Sequence, residues 1–154
     1  MLETSERAPE FTLSDDTGKD RSLTELLCTG ALVLYFYPAD FTPGCTRQAC
    51  LLRDMHDELI AAGLRVVGVS PQMPESHARF RARYSLPFTL LSDPGKSVIK
   101  MYGVNGPLGM GVRRASFLVD ASRRVLDMVL ADFMIGRHQA FVRKAIALRA
   151  AHPQ

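Results

Sequence analysis

Ala31-Leu-Val-Leu-Tyr-Phe-Tyr37 is an unbroken apolar run of strand length, and it constrains the fold more than any other feature of the chain. A strand with one solvated face alternates apolar and polar residues. A run without alternation belongs to a central strand covered on both faces. Leu64 to Ser70 (LRVVGVS) reads the same way. Between the two lie a loop, Pro38 to Gly44, and a helix from about Cys45 to Ala62, closed by Gly63.

The alternation continues along the chain. Pro74 to Tyr84 reads as a helix, Phe88 to Leu91 as a strand, and Ser92-Asp-Pro-Gly95 opens a helix ending at Tyr102. Asn105 to Gly111, with four Gly or Pro in seven residues, is a loop. Ala115 to Asp120 and Val125 to Leu130 are two strands about a turn, and His138 to Ala150 is an amphipathic helix. At the start, Ala8 to Leu13, the turn Asp15-Asp-Thr-Gly18 and a polar return form a hairpin. Ser22 caps a short helix to Leu27, with Glu25 completing a capping box. The order after the hairpin is βαβαβαββα, an α/β arrangement with a central mixed sheet flanked by helices. A thioredoxin-like architecture fits that order; the pattern alone also admits a flavodoxin-like sheet.

The 154 residues suit a single domain, 1–154, and leave little room for two. A net charge of +3, with basic residues scattered except for Arg113-Arg114 and Arg123-Arg124, is too weak a pattern for nucleic acid. No apolar run approaches the ~18 residues of a membrane span, and Met1 to Glu10 has no apolar core of a secretory leader. Three cysteines, an odd number, do not suit a secreted disulfide scaffold. The expectation is a cytoplasmic protein with reduced thiols.

Cys45 stands at a strand–loop–helix junction, where α/β sheets place their sites. Free N–H groups and the positive end of the macrodipole stabilise a thiolate there. Pro43 starts a helix without wasting a donor, and the Thr42 hydroxyl has a proton to give a thiolate and lone pairs for a bound ligand. An inert buried cysteine is the plain alternative. Cys50 follows on the same helix. Positions i and i+5 of an ideal helix lie about 8–9 Å apart at Cα, whereas a disulfide needs roughly 7 Å or less. If Cys45 and Cys50 bridge, the first turns of the helix must unwind. Cys28, at the far end of the first apolar strand, is a poor partner and reads as a bystander. His56, His77 and His138 show no zinc-ligand spacing with the cysteines, and His56 and His77 are expected on exposed helix faces.

Pro38-x-x-x-Thr42-x-x-Cys45 resembles the active-site signature of peroxiredoxins, and Thr42-Pro-Gly-Cys-Thr-Arg-Gln-Ala-Cys50 resembles the bacterioferritin comigratory protein or peroxiredoxin Q branch. Phe88-Thr-Leu-Leu-Ser-Asp93, Tyr102-Gly-Val104 and Arg114-Ala-Ser-Phe-Leu-Val-Asp120 extend the likeness over nearly the whole chain. The resemblance implies a thioredoxin-like fold and reduction of hydrogen peroxide or organic hydroperoxides. It makes Cys45 the peroxidatic cysteine and Cys50 the resolving one, joined in an intramolecular disulfide that a thioredoxin- or glutaredoxin-type donor reduces. Thr42 and Arg114 become partners of the thiolate, with Pro38 shielding it. Arg113 is the neighbour most easily confused with Arg114; the Arg-x-Ser-Phe-Leu pattern selects Arg114. The pairing needs no second chain, so a monomer is expected, without metal, haem, flavin or nicotinamide; no G-x-G-x-x-G or P-loop string is present.

Two departures stand out. Many relatives carry a lysine where this chain has Ala39, Asp40 and Phe41, and an acid beside a thiolate disfavours it. Leu108 and Met110, in the short loop, are candidates for an apolar entrance suited to organic or lipid hydroperoxides, though loop packing explains them equally well. A redox sensor or holdase switched by the same disulfide is the competing reading. A thiol–disulfide oxidoreductase is disfavoured by the missing C-x-x-C.

Overall fold

The computed structural model describes residues 1–151; residues 152–154, which complete the expected domain, lie outside them. Its centre is β3 (Ala31–Phe36), all of whose residues are buried. Leu32, Leu34 and Phe36 point into one apolar cluster, and Ala31, Val33 and Tyr35 into another on the opposite face. The unbroken apolar run is therefore two interleaved sets, each facing its own layer of helices.

Around β3 the sheet has seven strands: β1 (Thr12–Asp15), β2 (Asp20–Ser22), β4 (Leu64–Ser70), β5 (Thr89–Ser92), β6 (Ala115–Val119) and β7 (Val125–Leu130) complete it in the order β2-β1-β5-β4-β3-β6-β7. The neighbours β3/β4 and β4/β5 are parallel, while β3/β6 and β6/β7 are antiparallel. The antiparallel β6 beside the central strand rules out a wholly parallel flavodoxin-like sheet and is the mixed sheet that the late pair of strands predicts. Gly68 in β4 lies so close to Tyr35 that an added Cβ would sit 2.8 Å from the ring, so glycine alone fits there.

The helices are α1 (Leu23–Leu26), α2 (Pro43–Asp54), α3 (His56–Ala61), α4 (Pro74–Tyr84), α5 (Ser97–Met101) and α6 (Ile135–Ala151). Ser22 caps α1 by accepting from the Glu25 amide at 3.1 Å, as the capping box predicts. The helix expected from Cys45 to Ala62 is instead two, broken at Met55, a buried residue that caps both. The last helix begins earlier than expected, at Ile135, and packs on α2 through Phe141, Val142 and Ala145.

His138, near the start of α6, is buried and ties that helix to the sheet. Ser116 Oγ donates to its Nδ1 and Nε2–H donates to the Ala131 carbonyl, each at 2.9 Å. Burial, aided by the charges of Arg114 and Arg137, lowers its pKa below the ordinary 6.5. Because the folded value is depressed, the unfolded chain binds more protons below pH about 6.5, and His138 costs stability as pH falls through that window. The expected result is that the gap in unfolding free energy between wild type and His138→Gln, from urea titrations, narrows between pH about 7.5 and about 5.

Candidate active site

The register of the sheet brings together residues far apart in sequence. Phe36 of β3 faces Ala115 of β6, so the loop leaving β3 and the residue entering β6, Arg114, lie side by side at one end of the central strands. Ala115 faces Leu130 of β7, and the next residue continues the ladder, the Ala131 amide donating to the Arg114 carbonyl at 3.0 Å. Asp132 follows. Its carboxylate accepts from the Arg114 amide at 3.0 Å and its carbonyl from Arg114 Nε at 3.3 Å.

Held this way, the Arg114 guanidinium is 5% exposed and reaches two residues of α2. Nη2 donates to Cys45 Sγ at 3.3 Å and Nη1 to Gln48 Oε1 at 2.8 Å. Gly44 makes room for it: a Cβ there would lie 3.1 Å from Nη2. Cys45, 2% exposed, is a free thiol in the first turn of α2, as is the half-buried Cys50 further along the same helix. Pro43 has no N–H, and the Thr46 amide is already bonded to the Thr42 carbonyl at 2.8 Å. The Gly44 and Cys45 amides thus precede the first intrahelical bond. The Arg114 guanidinium is thus fixed against the sulfur at the start of a helix whose first amides have no intrahelical partner.

A cavity of about 510 Å³ opens onto this corner, lined by Pro38, Thr42, Gly44, Met110, Arg114 and Phe133 among others. Thr42 lies at its wall, but its hydroxyl proton goes to the Ala39 carbonyl at 3.0 Å rather than to Cys45. A hydroxyl has one proton, so the lone pairs of Thr42 are what it offers a ligand. Leu108, 99% exposed, is outside the lining, whereas Met110 belongs to it. Arg113 also lines the cavity, but it donates to the Asp132 carboxylate, at 2.8 Å, and not to Cys45.

Two expectations need correction. His77 is buried, not exposed, and His56 is half-buried. His77 is drawn inward by Asp40: Nδ1 lies 2.7 Å from Oδ2 of that carboxylate. Asp40 consequently spends its charge on His77 instead of on the Cys45 thiolate. Burial by itself would raise its pKa, but His77, Tyr37 and Ser76 together hold it below the ordinary carboxylate value. Gln48 and Asp132 are the members of the site that sequence reasoning missed. Gln48 follows Cys45 by three residues and so shares its helix face, a usable signal; Asp132 has none, because only the β6/β7 register places it.

A free thiol at a helix start, hydrogen-bonded to a fixed guanidinium at the end of the central strands of a thioredoxin-like sheet, is the layout of a thiol oxidoreductase. Residues 4–128 match the AhpC/TSA family, and the chain belongs to it, on the Bcp/peroxiredoxin Q branch of the peroxiredoxins. Peroxiredoxin Bcp of Escherichia coli K12 is 42% identical over 147 residues, covering 92% of this chain and 93% of that protein. Chloroplastic peroxiredoxin Q of Arabidopsis thaliana is 47% identical over 132 residues; the match covers 85% of this chain but only 61% of the plant protein. Among solved structures, peroxidoxin BcpB of Mycobacterium tuberculosis superposes with a TM-score of 0.90 at 36% identity, over 100% of both chains. The bacterioferritin comigratory protein of Xanthomonas campestris, described for its alkyl peroxide reduction activity, gives 0.81 at 27% identity, covering 94% of this chain and 92% of that one.

Proposed function

We propose that the chain is a thiol-dependent peroxidase of hydrogen peroxide and organic hydroperoxides, working as one domain and one monomer. The observation that carries this is the 3.3 Å contact of Arg114 Nη2 with Cys45 Sγ, Arg114 itself lining an open cavity. The Cys45 thiolate attacks the terminal oxygen of the hydroperoxide. An S–O bond forms, the O–O bond breaks, and the leaving oxygen departs as water or alcohol after taking a proton. Arg114 donates to the charge that moves from sulfur onto that oxygen. Pro38 walls the sulfur from bulk water, and the Thr42 lone pairs accept from the hydroperoxide O–H.

The resulting sulfenic acid is two oxidation levels above the thiol. The first turns of α2 unwind, Cys50 attacks Sγ, and water leaves as the disulfide forms. A thioredoxin- or glutaredoxin-type dithiol then takes the disulfide by exchange. No cofactor enters this sequence. The apolar side of the cavity, with Met110, Phe133 and Ile135, suits an alkyl chain on the substrate, in keeping with the alkyl peroxide activity described for the Xanthomonas relative. Among the described residues no helix is long and apolar enough to cross a membrane. The cytoplasm, where thiols are kept reduced, is the compartment we propose.

The test is peroxide consumption by the full chain with a thioredoxin system, followed by mass spectrometric mapping of the oxidised cysteines. A Cys45–Cys50 disulfide and sustained turnover are expected. A disulfide without turnover would favour the sensor reading. A Cys28-containing disulfide would overturn the pairing.

A further inference from the structure

Asp40 and Phe41, the residues just before Thr42, are both anchored on α4 by contacts that the peroxidase steps do not use. The Asp40 carboxylate takes three donors: the Tyr37 hydroxyl on Oδ1 at 2.6 Å, and the Ser76 hydroxyl at 2.8 Å and His77 Nδ1 at 2.7 Å on Oδ2. On the other side of the imidazole, Nε2 faces the Leu91 carbonyl at 3.0 Å. A carbonyl only accepts, so Nε2 carries a proton. An ionised carboxylate only accepts, so Nδ1 carries one too. Asp40 and His77 are therefore an ion pair, with both side chains 0% exposed.

A buried ion pair gains little over apolar packing; its best attested use is to specify one arrangement among several. The arrangement specified here is the path of the loop into α2. Phe41 supports that inference. Its φ of 66° lies in the left-handed region, which a bulky side chain adopts only when its surroundings hold it there. Its ring, though half exposed, packs on Phe80 and Tyr84 of α4, at 5.2 and 6.4 Å between centroids. Consecutive residues are thus fastened to one helix, by charge and then by aromatic contact, directly ahead of the turn that carries Cys45.

We propose that Asp40, His77 and Phe41 clamp the Cys45 loop to α4 and hold the start of α2 wound, making them positioning residues that set how fast the Cys45 sulfenic acid reaches Cys50. This rests on the reading of Cys45 and Cys50 as a pair that bridges. While the clamp is closed, Cys45 stays on Arg114, and Arg114 lines the cavity. The bridge requires the same turn to open, so the clamp favours the peroxide step and opposes the resolving step. Weakening it moves the two rates in opposite directions, because each step draws on a different member of one conformational equilibrium. The sulfenic acid then also spends less time open to a second peroxide, and less of it becomes sulfinic acid.

The test uses full-length Asp40→Asn and Phe41→Gly, mixed with hydrogen peroxide and quenched for mass spectrometry at successive times. Asparagine keeps the shape of Asp40 but removes its charge; glycine adopts the left-handed backbone without strain and removes the ring. Each is expected to convert the sulfenic acid to the Cys45–Cys50 disulfide about fivefold faster, with the sulfenic acid formed somewhat more slowly than in the wild type and less sulfinic acid at high peroxide. A merely structural defect would slow both steps. A rate constant from sulfenic acid to disulfide at or below that of the wild type in folded Phe41→Gly overturns the clamp, whether or not Asp40→Asn folds. Failure of the wild type itself to form the Cys45–Cys50 disulfide overturns the underlying reading and the clamp together, so the two failures are told apart.

Discussion

Cys45→Ser is expected to abolish peroxide consumption, with a fall on the order of 10⁴-fold or more in rate, as for removal of the nucleophile in other covalent mechanisms. A serine hydroxyl stays protonated beside Arg114, and an oxygen nucleophile cannot hold the transferred oxygen as a sulfenic acid. The substitution is nearly isosteric in a site that is buried and tightly packed, so the fold should survive it. Cys50→Ser separates the two thiols. It leaves the Arg114–Cys45 contact untouched, so one equivalent of peroxide should be consumed at the wild-type rate, and cycling with a thioredoxin system should then stop. The measurement is a single-turnover assay against a steady-state assay on the same two variants. Steady-state activity in Cys45→Ser, or no loss of thioredoxin-linked cycling in Cys50→Ser, would contradict the assignment.

Much of this site was legible in the sequence, for reasons that particular residues show. The apolar run at Ala31–Tyr37 announces a central strand because its two faces are both dry, and the structure divides it between two clusters. Cys45, Thr42 and Pro43 could be read because a helix start is a local event, set by proline and by the order of a few residues. What could not be read is what depends on register. Arg114 reaches Cys45 only because β6 runs antiparallel to β3 and pairs Ala115 with Phe36, and Asp132 reaches Arg114 through the β6/β7 pairing. Before the family resemblance, a single arginine entering a strand reads as surface charge. The break at Met55 leaves no trace in the pattern, because one apolar stripe continues across it, from Leu52 through Met55 to Leu59. His77 reads as exposed from its own helix, because an inward histidine needs an acid partner from elsewhere; Asp40 supplies it from 37 residues away. The competition between those two histidine placements is decided by tertiary contact rather than by helical periodicity.

The dependence of the site on register makes Arg114 the second position where a large effect is expected. Its guanidinium does three things at once: Nη2 donates to Cys45, Nη1 to Gln48, and Nε to the Asp132 carbonyl. Only the forked, planar group can do this, so lysine is a poor substitute even though it keeps the charge. Losing a charge-assisted hydrogen bond costs about 1.5–3 kcal/mol, which is roughly 10- to 150-fold in a rate constant. Arg114→Lys is therefore expected to lower the second-order rate constant for hydrogen peroxide by about 10- to 100-fold. Arg114→Met, which also removes the cation beside the thiolate and beside the departing oxygen, should lose more than the lysine variant. Stopped-flow measurement of both variants over a range of ionic strengths checks the cause as well as the size. The thiol and the guanidinium are buried, so salt should change the wild-type rate little and leave the wild-type-to-lysine ratio intact. A ratio that collapses in high salt would mean that Arg114 acts by long-range attraction of the substrate and not by the 3.3 Å contact with Sγ.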